Sequence, residues 1–112
     1  MGGVLTMIHE PNSGLLCSGS FDGTIKLWSL DTGELKHTLV RHDSYVYSLV
    51  VLRDGVSIVS ASFDGTLCIW NTTSGDLVKQ LTEHTNRVYS LLLLKNGDVA
   101  SASSDRSIKI WT

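Results

Sequence analysis

Three tryptophans, Trp28, Trp70 and Trp111, stand 42 and 41 residues apart, and each closes the same kind of phrase. The phrases read FDGTIKLW at 21–28, FDGTLCIW at 63–70 and SDRSIKIW at 104–111. A second phrase precedes each without a gap: CSGS at 17–20, VSAS at 59–62 and ASAS at 100–103. A third recurs as HDSYVYSL at 42–49 and HTNRVYSL at 84–91, with VLTMI at 4–8 in the corresponding place of the first repeat. Three phrases kept in register at one period mean that the chain is built from stacked, similar units.

The unit is made of strands. In the first phrase Ile25 and Leu27 alternate with Lys26 and Trp28, and in the second Leu67 and Ile69 alternate with Cys68 and Trp70. That period of two belongs to a pleated strand with one face inward. Asp22-Gly23 and Asp64-Gly65 signal tight hairpins, because glycine accepts the positive φ such turns need. Asn12-Ser13-Gly14, Asp54-Gly55 and Asn96-Gly97 mark a second set of turns, and Gly33 and Gly75 a third. The pattern predicts strands at about 4–8, 15–19, 24–28 and 34–40, then 46–52, 57–61, 66–70 and 76–82, then 88–94, 98–102 and 107–111.

Four-stranded units of this length, with a histidine near the start and a tryptophan at the end, resemble the blades of the WD-repeat β-propeller family. The resemblance covers essentially the whole chain. It departs from the family where Ser29, Asn71 and Thr112 follow each tryptophan in place of the usual aspartate. Arg41 and Glu83 stand where a glycine usually precedes the histidine. The expected fold is all-β, a single arc of three blades at about 1–41, 42–83 and 84–112, the last without its outer strand.

Composition narrows the function classes. Apolar residues make up 42% and charged residues 18% of the 112, a globular balance rather than that of a disordered tail. The net charge of −2 gives no electrostatic footprint for nucleic acid. Apolar runs such as Leu91–Leu94 are far too short to span a bilayer. Two cysteines, Cys17 and Cys68, are too few for a disulfide framework and read as small buried hydrophobes. A soluble protein of the cytoplasm, with the nucleus left open, is the expectation. The four histidines and two cysteines show no metal-ligand spacing, and no glycine-rich phosphate loop is present, so neither a metal nor a cofactor is expected.

The fold implied by the resemblance would gather His42, Ser60 and Asp64 in one place, and His84, Ser101 and Asp105 in another. A serine, a histidine and an aspartate in contact suggest a hydrolase. The resemblance implies instead a buried hydrogen-bond network in each blade, carried by His42, Ser60, Asp64 and Trp70 and again by His84, Ser101, Asp105 and Trp111. A carboxylate can accept from a histidine N–H, the histidine from a serine hydroxyl and the serine from an indole N–H. One unpaired member would cost about 1–3 kcal/mol. An enzyme needs one nucleophile with an oxyanion site rather than a copy per repeat, so no catalytic residue is expected. The first repeat keeps Ser18, Asp22 and Trp28 but has no histidine.

In propellers the residues flanking the central channel form the customary docking face. The family's contact positions fall here on Gly3, Leu5 and Phe21, on Tyr45, Tyr47 and Phe63, and on Arg87, Tyr89 and Ser104. Phe21, Tyr45, Tyr47, Phe63, Arg87 and Tyr89 have the composition of an interaction hot spot, although Tyr47 and Tyr89 are also placed to pack against neighbouring blades. The leading expectation is a non-catalytic scaffold binding a protein or peptide, without nucleic acid or membrane. The alternative is the propeller portion of a larger enzyme or signalling protein whose activity lies elsewhere. Three blades cannot close a ring, so the chain is expected either to be a piece of a longer propeller or to join head to tail as a homo-oligomer of six or nine blades, the latter favoured.

Overall fold

A computed structural model describes residues 3–10 and 14–111, which hold eleven strands and no helix. The first four are β1 (Val4–Glu10), β2 (Leu15–Ser20), β3 (Thr24–Ser29) and β4 (Leu35–Val40). The next four are β5 (Val46–Val51), β6 (Ser57–Ser62), β7 (Leu67–Asn71) and β8 (Leu77–Leu81). The last three are β9 (Val88–Leu93), β10 (Val99–Ser103) and β11 (Ile108–Trp111). They pair antiparallel in sequence order as β1-β2-β3-β4, β5-β6-β7-β8 and β9-β10-β11. Each sheet is one blade, and the three form an open arc, not a ring. Asn12, Ser13 and Thr112 lie outside the described residues.

Each element lies within about two residues of where the period of two placed it. The largest difference is at β1, which runs on to Glu10 and so contains His9. Register repeats between blades. Ser18 faces Lys26, Ser60 faces Cys68 and Ser101 faces Lys109. A bulge opens the inner strand at the same place each time, between Val4 and Thr6, between Val46 and Ser48, and opposite Ala102 and Ser103. A bulge re-aims the side chains on its strand, and here it sits next to Tyr45 and Arg87.

The hairpin after the second strand shows why the local sequence matters. Gly23 and Gly65 have φ of 84° and 87°. A Cβ on Gly23 would stand 2.7 Å from the carbonyl oxygen of His42, so the turn of one blade lies against the first loop of the next. The third blade has Arg106 in this place at φ 73°, held by a bond from its N–H to Ser103 O.

Alternation along the strands makes two cores. Cys17, Ile25, Leu27 and Leu39 of the first blade pack against Val46, Leu49, Ile58 and Trp70 of the second. The opposite face of the second blade, with Val59, Ala61 and Leu67, packs against Val88, Leu91 and Val99 of the third. Each buried aliphatic side chain contributes about 1.5–3 kcal/mol by leaving water. The outward faces are different in character. Leu92, Ile108 and Ile110 of the third blade are 60%, 73% and 54% exposed, and Val4 and Met7 of the first are 60% and 62% exposed.

Candidate functional site

Two hydrogen-bond relays run through the second and third blades. In the second, His42 Nε2 lies 2.6 Å from Ser60 Oγ, and Trp70 Nε1 donates to the same oxygen at 2.9 Å. His42 Nδ1 is 3.0 Å from Thr66 Oγ1 and 3.4 Å from Asp64 Oδ2. In the third, His84 Nε2 is 2.7 Å from Ser101 Oγ, Nδ1 is 2.8 Å from Asp105 Oδ2, and Trp111 Nε1 donates to Ser101 at 2.8 Å. The first blade has only the serine end, with Trp28 Nε1 donating to Ser18 Oγ at 3.2 Å. Its Asp22 accepts from the amide and hydroxyl of Thr24.

Both carboxylates are kept ionised by what surrounds them. Burial alone would raise the pKa of Asp64, but the bonds from His42 and Thr66 and from the amides of Asp43 and Thr66 outweigh it and hold the carboxyl far below the usual range. For Asp105 the Ser107 hydroxyl has the largest effect. Burial opposes it, and His84 and the amides of Thr85 and Ser107 add to it, so this carboxyl is also far below the usual range. Ser60 is fully buried and Ser101 almost so. Ser60 Oγ is already contacted by His42, Trp70 and the Cys68 carbonyl, so the oxygen has no open side for a substrate. Among the described residues no buried side-chain nitrogen or oxygen lacks a partner.

The relays hold a second feature at the same end of the blades. Asp64 takes the Asp43 amide at 2.9 Å, and Asp105 takes the Thr85 amide at 3.0 Å, which fixes the loops leading into β5 and β9. Three backbone bonds then join inner strand to hairpin: Phe21 N–H to Gly3 O at 3.0 Å, Phe63 N–H to Tyr45 O at 2.8 Å and Ser104 N–H to Arg87 O at 3.0 Å. They bring Gly3 beside Phe21, Tyr45 beside Phe63 and Arg87 beside Ser104.

The rings there form a continuous chain across the boundary between the first two blades. Phe21 and Tyr45 meet edge to face at 4.9 Å, and Tyr45 and Phe63 at 5.4 Å. Tyr47 lies 6.1 Å from Tyr45 and 6.2 Å from Phe63. The Arg87 guanidinium carbon stands 4.7 Å from the Phe63 centroid. Phe21, Tyr45 and Phe63 are each about two-fifths exposed at 42%, 39% and 38%, whereas Tyr47 is half-buried. Tyr89 is exposed and has no ring contact with this group. Leu5 is half-buried on β1, and Ser104 is exposed.

Other features were not readable from the repeat. Glu10 is fully buried at the end of β1, where its carboxylate lies 3.2 Å from the Thr72 hydroxyl of the second blade. A charged residue closing a short strand carries no signal that it will be enclosed. A cleft of about 530 Å³ opens at the rim between the second and third blades, away from the aromatic face and lined by Leu67, Ile69, Leu81, Val99 and Trp111 with Lys79 and Lys109. Cys17 and Cys68 are free and buried, and burial pushes each thiol up to about 12, with Glu10 and Asp64 the respective charges adding to the effect. No three histidine, cysteine or acidic side chains converge on a metal position among the described residues.

The comparison with known proteins agrees with the geometry. The family model for the WD domain, G-beta repeat, matches three times, at residues 2–29, 33–71 and 75–112. The human F-box-like/WD repeat-containing protein TBL1Y is 45% identical over 47 residues, 41% of this chain and 9% of its own length. The mouse protein TBL1X of the same description gives the same identity and coverage. DDB1- and CUL4-associated factor 13 of Dictyostelium discoideum is 39% identical over 59 residues, 52% of this chain and 13% of its own length. The chain thus spans about a tenth of the relatives it matches. Three in-register family matches, three stacked antiparallel sheets and a serine–tryptophan bond in every blade lead to one assignment: the chain belongs to the WD-repeat family.

Proposed function

We propose that this chain is a non-catalytic scaffold that binds a protein or peptide across the face formed by Phe21, Tyr45, Tyr47, Phe63 and Arg87. WD-repeat proteins are generally non-catalytic and mediate protein–protein interaction, and no enzyme family is indicated. The observation that carries the reading is the unbroken run of partly exposed rings from Phe21 to Phe63, capped by Arg87. Tyrosine, phenylalanine and arginine give large contact area at low entropic cost and dominate interface energetics. The underlying relays and the three backbone bonds hold these side chains on a rigid frame, which limits the ordering a partner must offset. Tyr89, on the inner strand of the third blade, is exposed and would join the same surface without a ring contact to the other five.

A second element of the reading concerns assembly. The exposed Leu92, Ile108 and Ile110 occupy the third blade's counterpart of the second-blade face that the third blade covers, and Val4 and Met7 lie on the opposite end of the arc. We infer that both ends take another blade, either from a second copy closing a ring or from a longer chain of which this is the propeller portion. Light scattering of the 12.2 kDa chain distinguishes these from a lone arc. A monodisperse monomer would remove the ring.

The binding reading is tested with an array of randomised peptides probed by the wild-type chain and by Tyr45→Ala and Arg87→Ala. The expected result is a selected peptide set that both variants lose while their tryptophan emission and unfolding midpoints stay near wild type. Undiminished binding by both variants would discard this face.

A further inference from the structure

Among the described residues, Arg87 is the one cation placed over a ring of the aromatic face, and its surroundings specify what it can accept. Its backbone is held on both sides: the amide donates to Asn86 Oδ1 at 2.8 Å, and the carbonyl accepts from Ser104 N–H and from the Ser103 hydroxyl at 2.8 Å. Its guanidinium lies over the Phe63 ring, 4.7 Å from the centroid. A guanidinium held over a ring by a cation–π contact still carries five N–H donors, more than one ring can engage, so donors remain for a further acceptor. The ion pairs among the described residues are His42–Asp64 and His84–Asp105, and neither includes Arg87. The nearest carboxylate in sequence to Phe63 is Asp64. It is turned inward to the Asp43 amide and the His42 side, not toward the guanidinium.

We propose, resting on the peptide-binding reading above, that Arg87 and the Phe63–Tyr45–Phe21 rings together recognise an acidic peptide in which an aspartate or glutamate stands close to a large apolar side chain. The planar N–H edge forks a carboxylate with two parallel bonds, a geometry that a single guanidinium supplies in full. A doubly charged phosphate draws on several cations, and among the described residues Arg87 alone stands over these rings, in a chain of net charge −2. Carboxylate is therefore the matching group. The apolar side chain rests on the rings that follow. These lie 5.4 Å (Phe63 to Tyr45) and 4.9 Å (Tyr45 to Phe21) apart. An extended peptide advances about 3.3 Å per residue, which sets the apolar residue about two or three positions from the acid.

The test uses the full chain on a randomised peptide array whose positions include aspartate, glutamate, phosphoserine, glutamine and lysine, with Arg87→Gln and Arg87→Lys as variants. Wild type is expected to select aspartate or glutamate at one position, with an aromatic or leucine about two or three residues away. Arg87→Gln should lose the acidic selection, keep the apolar one and bind the selected peptides about tenfold or more weakly, the scale of a charge-assisted bond. Arg87→Lys should retain part of the preference, because charge remains while the fork is lost. Added salt should weaken wild type and leave Arg87→Gln nearly unaffected. Neutral peptides selected by wild type, lost on Tyr45→Ala and unaffected by Arg87→Gln would overturn this inference while leaving the peptide-binding reading intact. Selection of phosphoserine over glutamate would overturn the carboxylate assignment. No selection of any peptide, with Tyr45→Ala indistinguishable from wild type, would overturn both.

Discussion

A Cβ placed on Gly19 would stand 2.7 Å from Val46 Cγ1 and 2.9 Å from Thr6 Cγ2, so the first two blades meet through a position where only hydrogen fits. The equivalent positions are Ala61 in the second blade, which fits against the third, and Ala102. An alanine in a strand ordinarily improves on glycine by about 0.5–1 kcal/mol. Here the contact reverses the sign, and Gly19→Ala is expected to destabilise by about 1–3 kcal/mol through overpacking. Urea unfolding followed by tryptophan emission measures it, and a midpoint at or above wild type would refute the tight contact.

The relays are unequal, and stability should reflect that. Ser60→Ala leaves both His42 Nε2 and Trp70 Nε1 without their shared oxygen in a buried place, at a cost of about 1–3 kcal/mol. Ser18→Ala affects only the half-buried Trp28, whose N–H can turn to water, and should cost about 1 kcal/mol or less. Equal losses in denaturant titrations of the two variants would mean that the histidine adds nothing to the serine.

Arg106 takes a positive φ of 73° where the first two blades have glycine. A side chain in the left-handed region costs about 1–2 kcal/mol. Arg106→Gly should therefore raise the unfolding midpoint, by about 0.5–1 kcal/mol after glycine's own entropy is counted. A lowered midpoint would point to a guanidinium contact that outweighs the strain.

Acid should weaken the fold in a defined direction. The carboxyls of Asp64 and Asp105, together with those of Asp22 and Asp54, sit below their ordinary value because they accept hydrogen bonds in the folded state. The unfolded chain, with aspartates near 3.9, takes up protons first. The stabilisation is complete well above about pH 4 and is lost progressively as pH falls from there toward the folded values. Unfolding midpoints measured at about pH 7, 4 and 3 should fall in that order, and an Asp64→Asn, Asp105→Asn double variant should flatten the trend. A midpoint constant down to about pH 3 would exclude the linkage.

The thiols offer a direct reading of core integrity. Cys17 and Cys68 are buried and pushed up to about 12, so at about pH 8 neither is exposed or appreciably ionised. Iodoacetamide should modify both only on unfolding, with a rate that rises in urea along the unfolding transition. Rapid labelling in the absence of denaturant would indicate that the blade interface opens locally.

The blade order, the eleven strands and the hairpin turns were legible because a period of two, interrupted by glycine at fixed offsets, has few other meanings. The serine, histidine, aspartate and tryptophan of each relay were named through the family resemblance that the repeated phrases carry, whereas the hydroxyls of Thr66 and Ser107, which also reach the histidines, were not expected. Long-range geometry was less accessible. Arg106 shares a turn with Gly23 and Gly65 but looks like an ordinary surface cation in the sequence. The burial of Glu10, the seating of Arg53 against Gly97 and the His37 ring against Gly75 each depend on how adjacent blades meet, which no single repeat encodes. The rim cleft arises in the same way, from the space between two units rather than from either one.

The three bonds from Phe21 to Gly3, Phe63 to Tyr45 and Ser104 to Arg87 involve only main-chain atoms. No side-chain atom takes part in them, so any residue other than proline can stand at the donor positions and keep the bond, and the frame tolerates exchange there while the cores remain untouched. Each blade consequently offers one interchangeable pair of residues to the surface, and under the proposed binding reading those pairs could be reset blade by blade, like type set in a fixed forme, without recasting the fold that holds them.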